Sequence, residues 1–250
     1  MGRRFGQHFM VDERILKREV EYADVSDKDV VLEIGPGTGN LTKYLVERAK
    51  KVYAIEKDRA LARLIEDEFP EVEVIVGDAM DMDWPEFDKM VSNIPYEISS
   101  PLTFKLLEHE FRLAVITYQL EFAERLVAYA GDWAYSRLSV MAYYRAEMEM
   151  LERVPKSAFR PRPKVDSAIV RIIPRKEPPF HVEDEKLFEE VVRVLFSARR
   201  KTVRSALKAR YGELKTEYGS MRVEELTPEE IGEIANLIFE KNKKGAVGMG

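Results

Sequence analysis

The chain of 250 residues contains no cysteine and only three histidines, His8, His109 and His181. The absence of cysteine excludes disulfides, thiolate metal ligands and a cysteine nucleophile, and the wide spacing of the histidines does not suit a zinc site. We therefore expect no bound metal. No apolar run reaches the roughly 18 residues of a membrane-spanning helix, and no apolar stretch follows the first basic residues. We expect no membrane partner, no secretory signal and a cytoplasmic location.

Basic residues are clustered, although the formal net charge of the chain is −5. Residues 153–176 contain eight lysines and arginines and a single acid, Asp166, while residues 197–212 contain six bases and no acid. A charged run is usually a solvated face, and this interpretation stays open for each cluster. Two basic clusters on an acidic protein nevertheless favour a polyanionic partner.

Short apolar runs alternate with helical patterns over the first half of the chain. The runs predict strands at residues 30–34, 52–56, 72–76, 89–92 and 113–118. Helical patterns lie between most of them, which is typical of a doubly wound, largely parallel α/β sheet. Two later runs, 141–154 and 168–173, flank a proline-rich loop, and we expect them to form antiparallel strands at the edge of the sheet.

A linker and a helical region follow the predicted sheet. Residues 174–182 contain Pro178-Pro179 and form the linker. Beyond it the pattern predicts helices at 184–197 and 201–211, and a last helix that begins with Thr227 as N-cap, followed by Pro228 and Glu230. We therefore predict one domain over residues 1–177 and a small all-helical domain over residues 178–250.

Three of the predicted strands end in residues that suit an adenosine-like ligand. Gly35 and Gly37 follow the first strand and precede a helix, so that backbone N–H groups can face a ligand. Glu56 ends the second strand, where a carboxylate can accept both ribose hydroxyls. Asp78 and Ala79 follow the third strand, within reach of an adenine amine. Each residue alone could belong to a structural turn, but ends of successive parallel strands form one crevice and together predict nucleoside binding.

The fourth strand ends in Asn93-Ile94-Pro95-Tyr96. An exocyclic amine on an aromatic base is a poor nucleophile because its lone pair is delocalised into the ring. The side-chain oxygen of Asn93 and a backbone carbonyl held by Pro95 can accept both amine hydrogens, which favours a pyramidal nitrogen. Tyr96 offers a face on which the base can stack. The alternative is a plain turn.

Taken together, these residues resemble those of the class I S-adenosylmethionine-dependent methyltransferases, and in particular the ribosomal RNA adenine dimethyltransferase family. The resemblance is carried by residues 5–9, 33–42, 93–96, 159–165 with Ser167, and 199–202. It covers nearly the whole chain. It implies a Rossmann-like methyltransferase sheet in the first domain and an RNA-binding role for the helical domain.

The resemblance also implies an activity and a set of site residues. The family transfers methyl groups from S-adenosylmethionine to N6 of two adjacent adenosines in the 3′-terminal hairpin of small-subunit (16S-type) rRNA during ribosome biogenesis. Its catalytic motif matches Asn93, Ile94, Pro95 and Tyr96, and Phe159 matches an aromatic residue that would sandwich the adenine against Tyr96. The positions that contact the cofactor match His8, Met10, Gly35, Gly37, Glu56, Asp78, Ala79 and Asn93.

The implied partner is small-subunit rRNA within a pre-ribosomal small subunit, bound by a monomer. The candidate RNA-binding residues are Arg160, Arg162, Lys164, Arg199, Arg200, Lys201 and Arg204. Phe159 could instead anchor its loop, and residues 199–201 could be a solvated helix junction. Two other functions also stay open: methylation of large-subunit rRNA, and a non-catalytic assembly or transcription factor that retains the fold.

Overall fold

The fold is described from a computed structural model, which describes residues 8–247. Residues 5–7, the start of the first segment that carries the family resemblance, lie outside this range. The chain divides into two compact units. The first comprises the described residues up to Ala123 together with Ala146–Pro174, and the second comprises Glu124–Arg145 and the described residues from Arg175 onward.

A seven-stranded sheet forms the centre of the first unit within the described residues. In spatial order its strands are β4 (Glu73–Val76), β3 (Lys51–Glu56), β2 (Val30–Ile34), β5 (Lys89–Asn93), β6 (Leu113–Gln119), β9 (Ser167–Pro174) and β7 (Ala146–Val154). The first five are parallel to one another, and β9 is antiparallel to both β6 and β7. The predicted doubly wound, largely parallel α/β sheet is confirmed. Because β2 to β5 run in one direction, their carboxyl ends lie at the same edge.

Helices precede or follow most of the parallel strands of the first unit. They are α1 (Glu13–Tyr22), α2 (Thr42–Val46), α3 (Arg59–Glu68) and α4 (Ser99–Leu106), and α5 (Leu120–Val127) continues into the second unit. Asp12 and Asp58 cap α1 and α3, because each carboxylate accepts a backbone N–H of the first turn. The buried face of α1 consists of Ile15, Leu16, Val20 and one carboxylate, Glu19.

A two-stranded antiparallel sheet joins the N-terminal segment to the proline-rich loop. It consists of β1 (Phe9–Met10) and β8 (Phe159–Arg160), with Met10 opposite Phe159. The two paired side chains are each 2% exposed and belong to the hydrophobic core of this unit. His8 adds a hydrogen bond of 2.7 Å between Nδ1 and the backbone oxygen of Pro161. The start of the described chain is thus attached to a loop that lies far away in sequence.

The second unit is mainly helical over its described residues and has one isolated bridge, between Thr202 and Arg222. Its helices are α6 (Arg137–Arg145), α7 (Glu185–Ser197), α8 (Val203–Tyr211) and α9 (Pro228–Val247), with short 3₁₀ helices at Glu217–Ser220 and Val223–Glu225. The predicted N-terminus of the last helix is confirmed. Thr227 Oγ1 accepts the Glu230 N–H at 3.2 Å, and Glu230 Oε2 accepts the Thr227 N–H at 2.8 Å, so the two residues form a capping box.

The predicted strand at 141–154 is wrong over its first five residues, which belong to α6. Most of α6 is buried, and a continuous apolar run does not distinguish a buried helix from a strand. Tyr144 packs against Phe180 and Phe188 with ring centroids 5.1 Å apart in each pair, so this segment packs with the C-terminal helices. The assignment of a methyltransferase domain to 1–177 and an RNA-binding domain to 178–250 stays a prediction.

A buried ion pair holds the start of β2 to the start of β5. Asp29 and Lys89 have side chains that are only 2% and 8% exposed, and their N and O atoms are 3.0 Å apart. Asp29 also accepts hydrogen bonds from the backbone N–H and hydroxyl of Ser26 and from Arg112. Burial raises the pKa of Asp29, but the hydrogen bonds from Ser26 and Lys89 outweigh it and lower this pKa to about 2.

We expect Asp29→Ala to lower the free energy of unfolding by about 3–5 kcal/mol, because Lys89 would remain buried without its carboxylate. Since the pKa of Asp29 is lower in the folded state than its usual 3.8, this contribution is present above about pH 4 and is lost as the pH falls toward 2. Urea unfolding at neutral and acidic pH measures both effects. The control is Glu13→Ala, which removes an exposed ion pair with Lys43 and should lower the free energy of unfolding far less, because exposed ion pairs contribute little. Equal losses in the two variants would contradict the prediction.

Candidate active site

A cavity lies at the edge of the sheet where the parallel strands end. It is lined by His8, Phe9, Gly35, Gly37, Glu56, Asn93, Ile94, Pro95 and Tyr96. The structure therefore brings together the glycine loop after β2 and the ends of β3 and β5, as the sequence predicts.

A smaller cavity adjoins the first and shares His8, Gly35 and Asn93 with it. Its lining adds Met10, a predicted cofactor-binding residue, and Glu33 at the end of β2. Burial raises the pKa of Glu33 to about 8, although a hydrogen bond from Thr42 acts in the opposite direction. Asn40 also lines this cavity and donates from Nδ2 to the Met10 carbonyl at 2.8 Å. Glu33 and Asn40 lie in the segment that carries the family resemblance, but the sequence did not single them out as site residues.

Gly37 occupies a position that only glycine fits without strain. Its φ of +60° lies in the left-handed region, and a Cβ atom built there would come within 2.5 Å of the Phe9 ring. The ring and the glycine loop thus contact each other closely at the cavity.

Glu56 is held at the cavity wall by backbone donors. Its Oε2 accepts the Gly37 N–H at 3.2 Å, and its Oε1 accepts the Asp58 N–H at 2.8 Å. Burial raises the pKa of Glu56, while these hydrogen bonds act to lower it. A carboxylate has about four lone-pair positions, so Glu56 retains capacity to accept hydroxyl groups of a ligand.

The side-chain amide of Asn93 has a hydrogen-bonded nitrogen and, within the described chain, an oxygen without a hydrogen-bond partner. Its Nδ2 donates to Glu19 Oε2 at 3.0 Å. Its Oδ1 is buried and has no hydrogen-bond partner among the described residues. Buried polar atoms without partners are rare in folded proteins, because each costs free energy. The site therefore presents a free hydrogen-bond acceptor at the wall of the cavity.

Tyr96 is fixed in place by its hydroxyl group. Its OH lies 2.7 Å from Ser167 Oγ, and burial raises the pKa of Tyr96, so the phenol stays neutral at physiological pH. The ring centroid of Tyr96 is 6.0 Å from that of His8, with 32° between the planes. The two rings form an aromatic pair that lines the cavity.

Three predicted site residues do not line either cavity. Asp78 forms an ion pair with Lys57, which lowers the pKa of this carboxyl group. Ala79 is buried, and its carbonyl accepts a hydrogen bond from Trp84. Phe159 is 2% exposed within the hydrophobic core, which is the arrangement of an anchor beneath its loop. Its stacking role stays a prediction.

The predicted RNA-binding residues are mostly exposed in each unit. Arg160, Arg162 and Lys164 are exposed on the first unit, and Arg200, Lys201 and Arg204 on the second. Arg199 instead forms an ion pair with Glu224 at 2.9 Å, so an acid distant in sequence partly neutralises this basic run. Over residues 8–247, no three acidic or histidine side chains are grouped to hold a metal ion. Nor does that part of the chain contain a helix long and apolar enough to cross a membrane.

The fold and site define a Rossmann-like methyltransferase with an added helical unit. The structure is similar to the crystal structure of a dimethyladenosine transferase from Plasmodium falciparum, with a TM-score of 0.81 and 31% identity over 95% of this chain and 98% of that one. It is also similar to the crystal structure of the 23S rRNA methyltransferase ErmE, with a TM-score of 0.75 and 30% identity over 92% and 99% of the two chains.

The sequence comparisons identify the family. The model for the ribosomal RNA adenine dimethylase family matches residues 1–240. The chain is 47% identical to a probable ribosomal RNA small subunit methyltransferase A of Methanosarcina acetivorans, over 96% of this chain and 94% of the relative. It is 48% identical to the protein of the same name from Thermococcus gammatolerans, over 98% of this chain and 94% of the relative. The chain belongs to the ribosomal RNA adenine dimethylase family, which confirms the predicted class of enzyme.

We expect Gly37→Ala to destabilise the protein more than Gly131→Ala. Both glycines have positive φ, but a Cβ at Gly131 would meet nothing within 4 Å, whereas one at Gly37 would collide with Phe9. Overpacking should therefore add about 1–3 kcal/mol to the backbone cost at Gly37. Urea unfolding of the two variants isolates this difference. The double variant Gly37→Ala/Phe9→Ala should recover part of it, and equal losses at the two glycines would refute the assigned contact.

Proposed function

We propose that this chain transfers methyl groups from S-adenosylmethionine to N6 of two adjacent adenosines in the 3′-terminal hairpin of small-subunit rRNA. The observation that carries the proposal is the unpaired Oδ1 of Asn93 at the wall of a cavity that also contains Gly35, Glu56 and Tyr96. A buried acceptor costs free energy until a donor reaches it. The exocyclic amine of adenine is a donor of this kind.

The choice of small-subunit rRNA is supported by the identities of the relatives. The proteins of Methanosarcina acetivorans and Thermococcus gammatolerans, both 47–48% identical, carry names that refer to the small subunit. The large-subunit methyltransferase ErmE is 30% identical. The free acceptor on Asn93 supports an enzyme over a non-catalytic assembly factor, since a scaffold has no use for it.

The cavity fits S-adenosylmethionine in two respects. Gly35 and Gly37 of the loop after β2 line the cavity without a side chain that would fill it, and the buried carboxylate of Glu56 can accept the two ribose hydroxyls. When bound, S-adenosylmethionine supplies an electrophilic methyl group on a sulfonium centre. Asp78 and Ala79 do not line the cavity, so we expect them to act on the adenine end through neighbouring backbone. His8 lines this cavity, and Met10 lines the smaller cavity that adjoins it.

The residues of the Asn93–Tyr96 segment act on the adenine. Asn93 Oδ1 and the backbone carbonyl of Ile94, which precedes Pro95, accept the two N6 hydrogens and draw the lone pair out of conjugation. Tyr96 offers its ring for stacking, which offsets the loss of stacking when the base leaves its helix. No strong base is required, since the proton released from N6 can pass to water. Catalysis then rests on positioning and electrostatics.

The exposed basic residues would hold the RNA through phosphate and shape contacts. Arg160 is the last residue of β8, and Lys164 lies on the loop that follows this strand. Arg200 and Lys201 lie between α7 and α8. We propose that a monomer of the chain acts in the cytoplasm on a pre-ribosomal small subunit.

The test uses labelled S-adenosylmethionine and immature small subunits, followed by mapping of the modified nucleotides. The wild type should modify two adjacent adenosines of the small-subunit rRNA. Asn93→Ala should slow single-turnover methyl transfer on the order of 10²-fold at saturating cofactor, because an amine hydrogen loses its acceptor. The matched variant Glu56→Ala should instead weaken binding of S-adenosylmethionine by about 1.5–3 kcal/mol in calorimetry. A wild type that labels only large-subunit rRNA, or no rRNA, would refute the proposal.

We also expect Arg200→Ala and Lys201→Ala each to reduce the salt slope of RNA binding by roughly 0.7–1, because each side chain is exposed and would release one counterion. Arg199→Ala should change the slope less, because Arg199 already pairs with Glu224. Titrations of small-subunit rRNA over a range of salt concentrations measure the slope. Lys186→Ala, an exposed lysine of α7 outside the basic cluster, is the charge-matched control. If all four variants share the wild-type slope, the cluster is a solvated surface.

A further inference from the structure

The carboxylate of Glu19 lies between the ends of two neighbouring strands. Glu19 is on the buried face of α1 and is 1% exposed. Its Oε2 accepts a hydrogen bond from Asn93 Nδ2 at 3.0 Å, and its Oε1 accepts one from the hydroxyl of Thr117. Asn93 and Thr117 are register partners on β5 and β6. Glu19 thus contacts Asn93, the last residue of β5, and Thr117, its register partner on β6.

Stability does not account for a carboxylate at this position. Glu19 has no cationic partner within the described part of the chain, since the arginine next to it, Arg18, is paired with Glu152. A buried ionised group without a counterion is costly, so the charge of Glu19 does not stabilise the fold. Residues that break a local rule without a gain in stability tend to mark functional sites.

The chemistry of the two side chains explains what Glu19 provides. An amide has a donor end and an acceptor end, whereas an ionised carboxylate only accepts. Glu19 can therefore pair only with Nδ2 of Asn93, which leaves Oδ1 as the end available at the cavity. If the amide were turned over, two acceptors would face each other, and a donor would face the incoming amine.

We propose that Glu19 is a positioning residue for methyl transfer, which holds the Asn93 amide with its oxygen toward the substrate amine. The inference rests on the proposed function and adds a residue that does not touch the substrate. Thr117 saturates the other carboxylate oxygen, so that Glu19 is held from both sides.

Protonation of Glu19 should weaken this constraint, because a carboxylic acid can donate as well as accept. Burial raises the pKa of Glu19 to about 7, against the hydrogen bonds from Thr117 and Asn93. Two other carboxylates interact electrostatically with Glu19. They are Glu152 on β7, which is paired with Arg18, and Glu33 on β2, whose own pKa is raised by burial. The orientation of Asn93 should therefore be best defined above neutral pH.

Three variants separate the possible roles. Glu19→Met removes the acceptor, Glu19→Gln imitates the protonated acid, and Thr117→Val breaks the other contact of Glu19 while leaving the one to Asn93. At about pH 8.5, where Glu19 is ionised, we expect Glu19→Met to slow single-turnover methyl transfer roughly tenfold to a hundredfold. Glu19→Gln should show the rate that the wild type reaches at low pH, without the inflection near neutrality. Thr117→Val should stay within about threefold of the wild type, and its inflection should move to higher pH because a bond that favours the ionised form is lost.

The melting temperature distinguishes positioning from a merely structural role. Since the pKa of Glu19 is higher in the folded state than its usual 4.5, its ionisation destabilises the fold increasingly as the pH rises from there to about 7. Glu19→Gln removes the buried charge and keeps hydrogen-bonding groups for Asn93 and Thr117, so it should melt at or above the wild-type temperature at about pH 8.5, even though its rate falls. A structural role predicts that melting temperature and rate fall together.

A readout independent of activity is the side-chain amide resonance of Asn93 in ¹⁵N-labelled protein. It should titrate with a midpoint near the pKa of Glu19 in the wild type and lose that titration in Glu19→Gln. If the wild type methylates small-subunit rRNA and Glu19→Met does so at the same rate, the inference about Glu19 is wrong and the proposed function stands. A wild type that never methylates rRNA, but whose Asn93 amide follows Glu19, would refute the proposed function and support the hydrogen bond. If the chemical shift of the Asn93 side-chain amide does not change with pH in the wild type, the role assigned to Glu19 is contradicted.

Discussion

The parallel pairing of β3, β2, β5 and β6 is the constraint on which the rest of the first unit depends. Parallel strands end at one edge of a sheet, so residues that are far apart in sequence meet there. The glycine loop, Glu56 and Asn93 meet for this reason alone. A buried ion pair between Asp29 and Lys89 secures the opposite ends of two of these strands and so fixes their register.

Electrostatics at this edge depends on burial of acids rather than on basic residues. The pKa values of Glu19, Glu33 and Glu56 are all raised because water is excluded from their carboxyl groups. Each acid is held by donors of the surrounding chain, namely a side-chain amide, a hydroxyl group or backbone N–H groups. Glu56 and Glu33 line the two cavities, whereas Glu19 lies behind Asn93, so the carboxyl groups at the site itself are suited to a hydrogen-donating ligand.

The residues that sequence alone could identify are those at strand ends. Gly37, Glu56 and Asn93 follow apolar runs directly, so their meeting point follows from the order of the strands. Glu19 was missed because it is one of several acids on an amphipathic helix and has no local feature that separates it from the exposed Glu13. Its burial depends on how α1 packs against the sheet, which is a tertiary contact.

Tertiary contacts also explain the other differences between the predicted and the observed structure. The apolar run that begins near Met141 fits either a helix or a strand, and its contacts with the C-terminal helices are distant in sequence. The proline-rich motif specified an aromatic residue at Phe159 but not the depth at which its side chain is buried. Motifs identify residue types at fixed spacing, whereas packing determines which of those side chains reach the cavity.

The pairing of β1 with β8 has a thermodynamic consequence. Within the described residues each of these strands pairs only with the other, and His8, which lines the cavity, is bonded to Pro161 in the loop that carries the basic residues. If a ligand in the cavity stabilises β1, it also stabilises β8, because the two strands share their hydrogen bonds. If RNA binds on the loop that follows β8, the two binding events would then be coupled, and each would change the affinity of the other by the same factor.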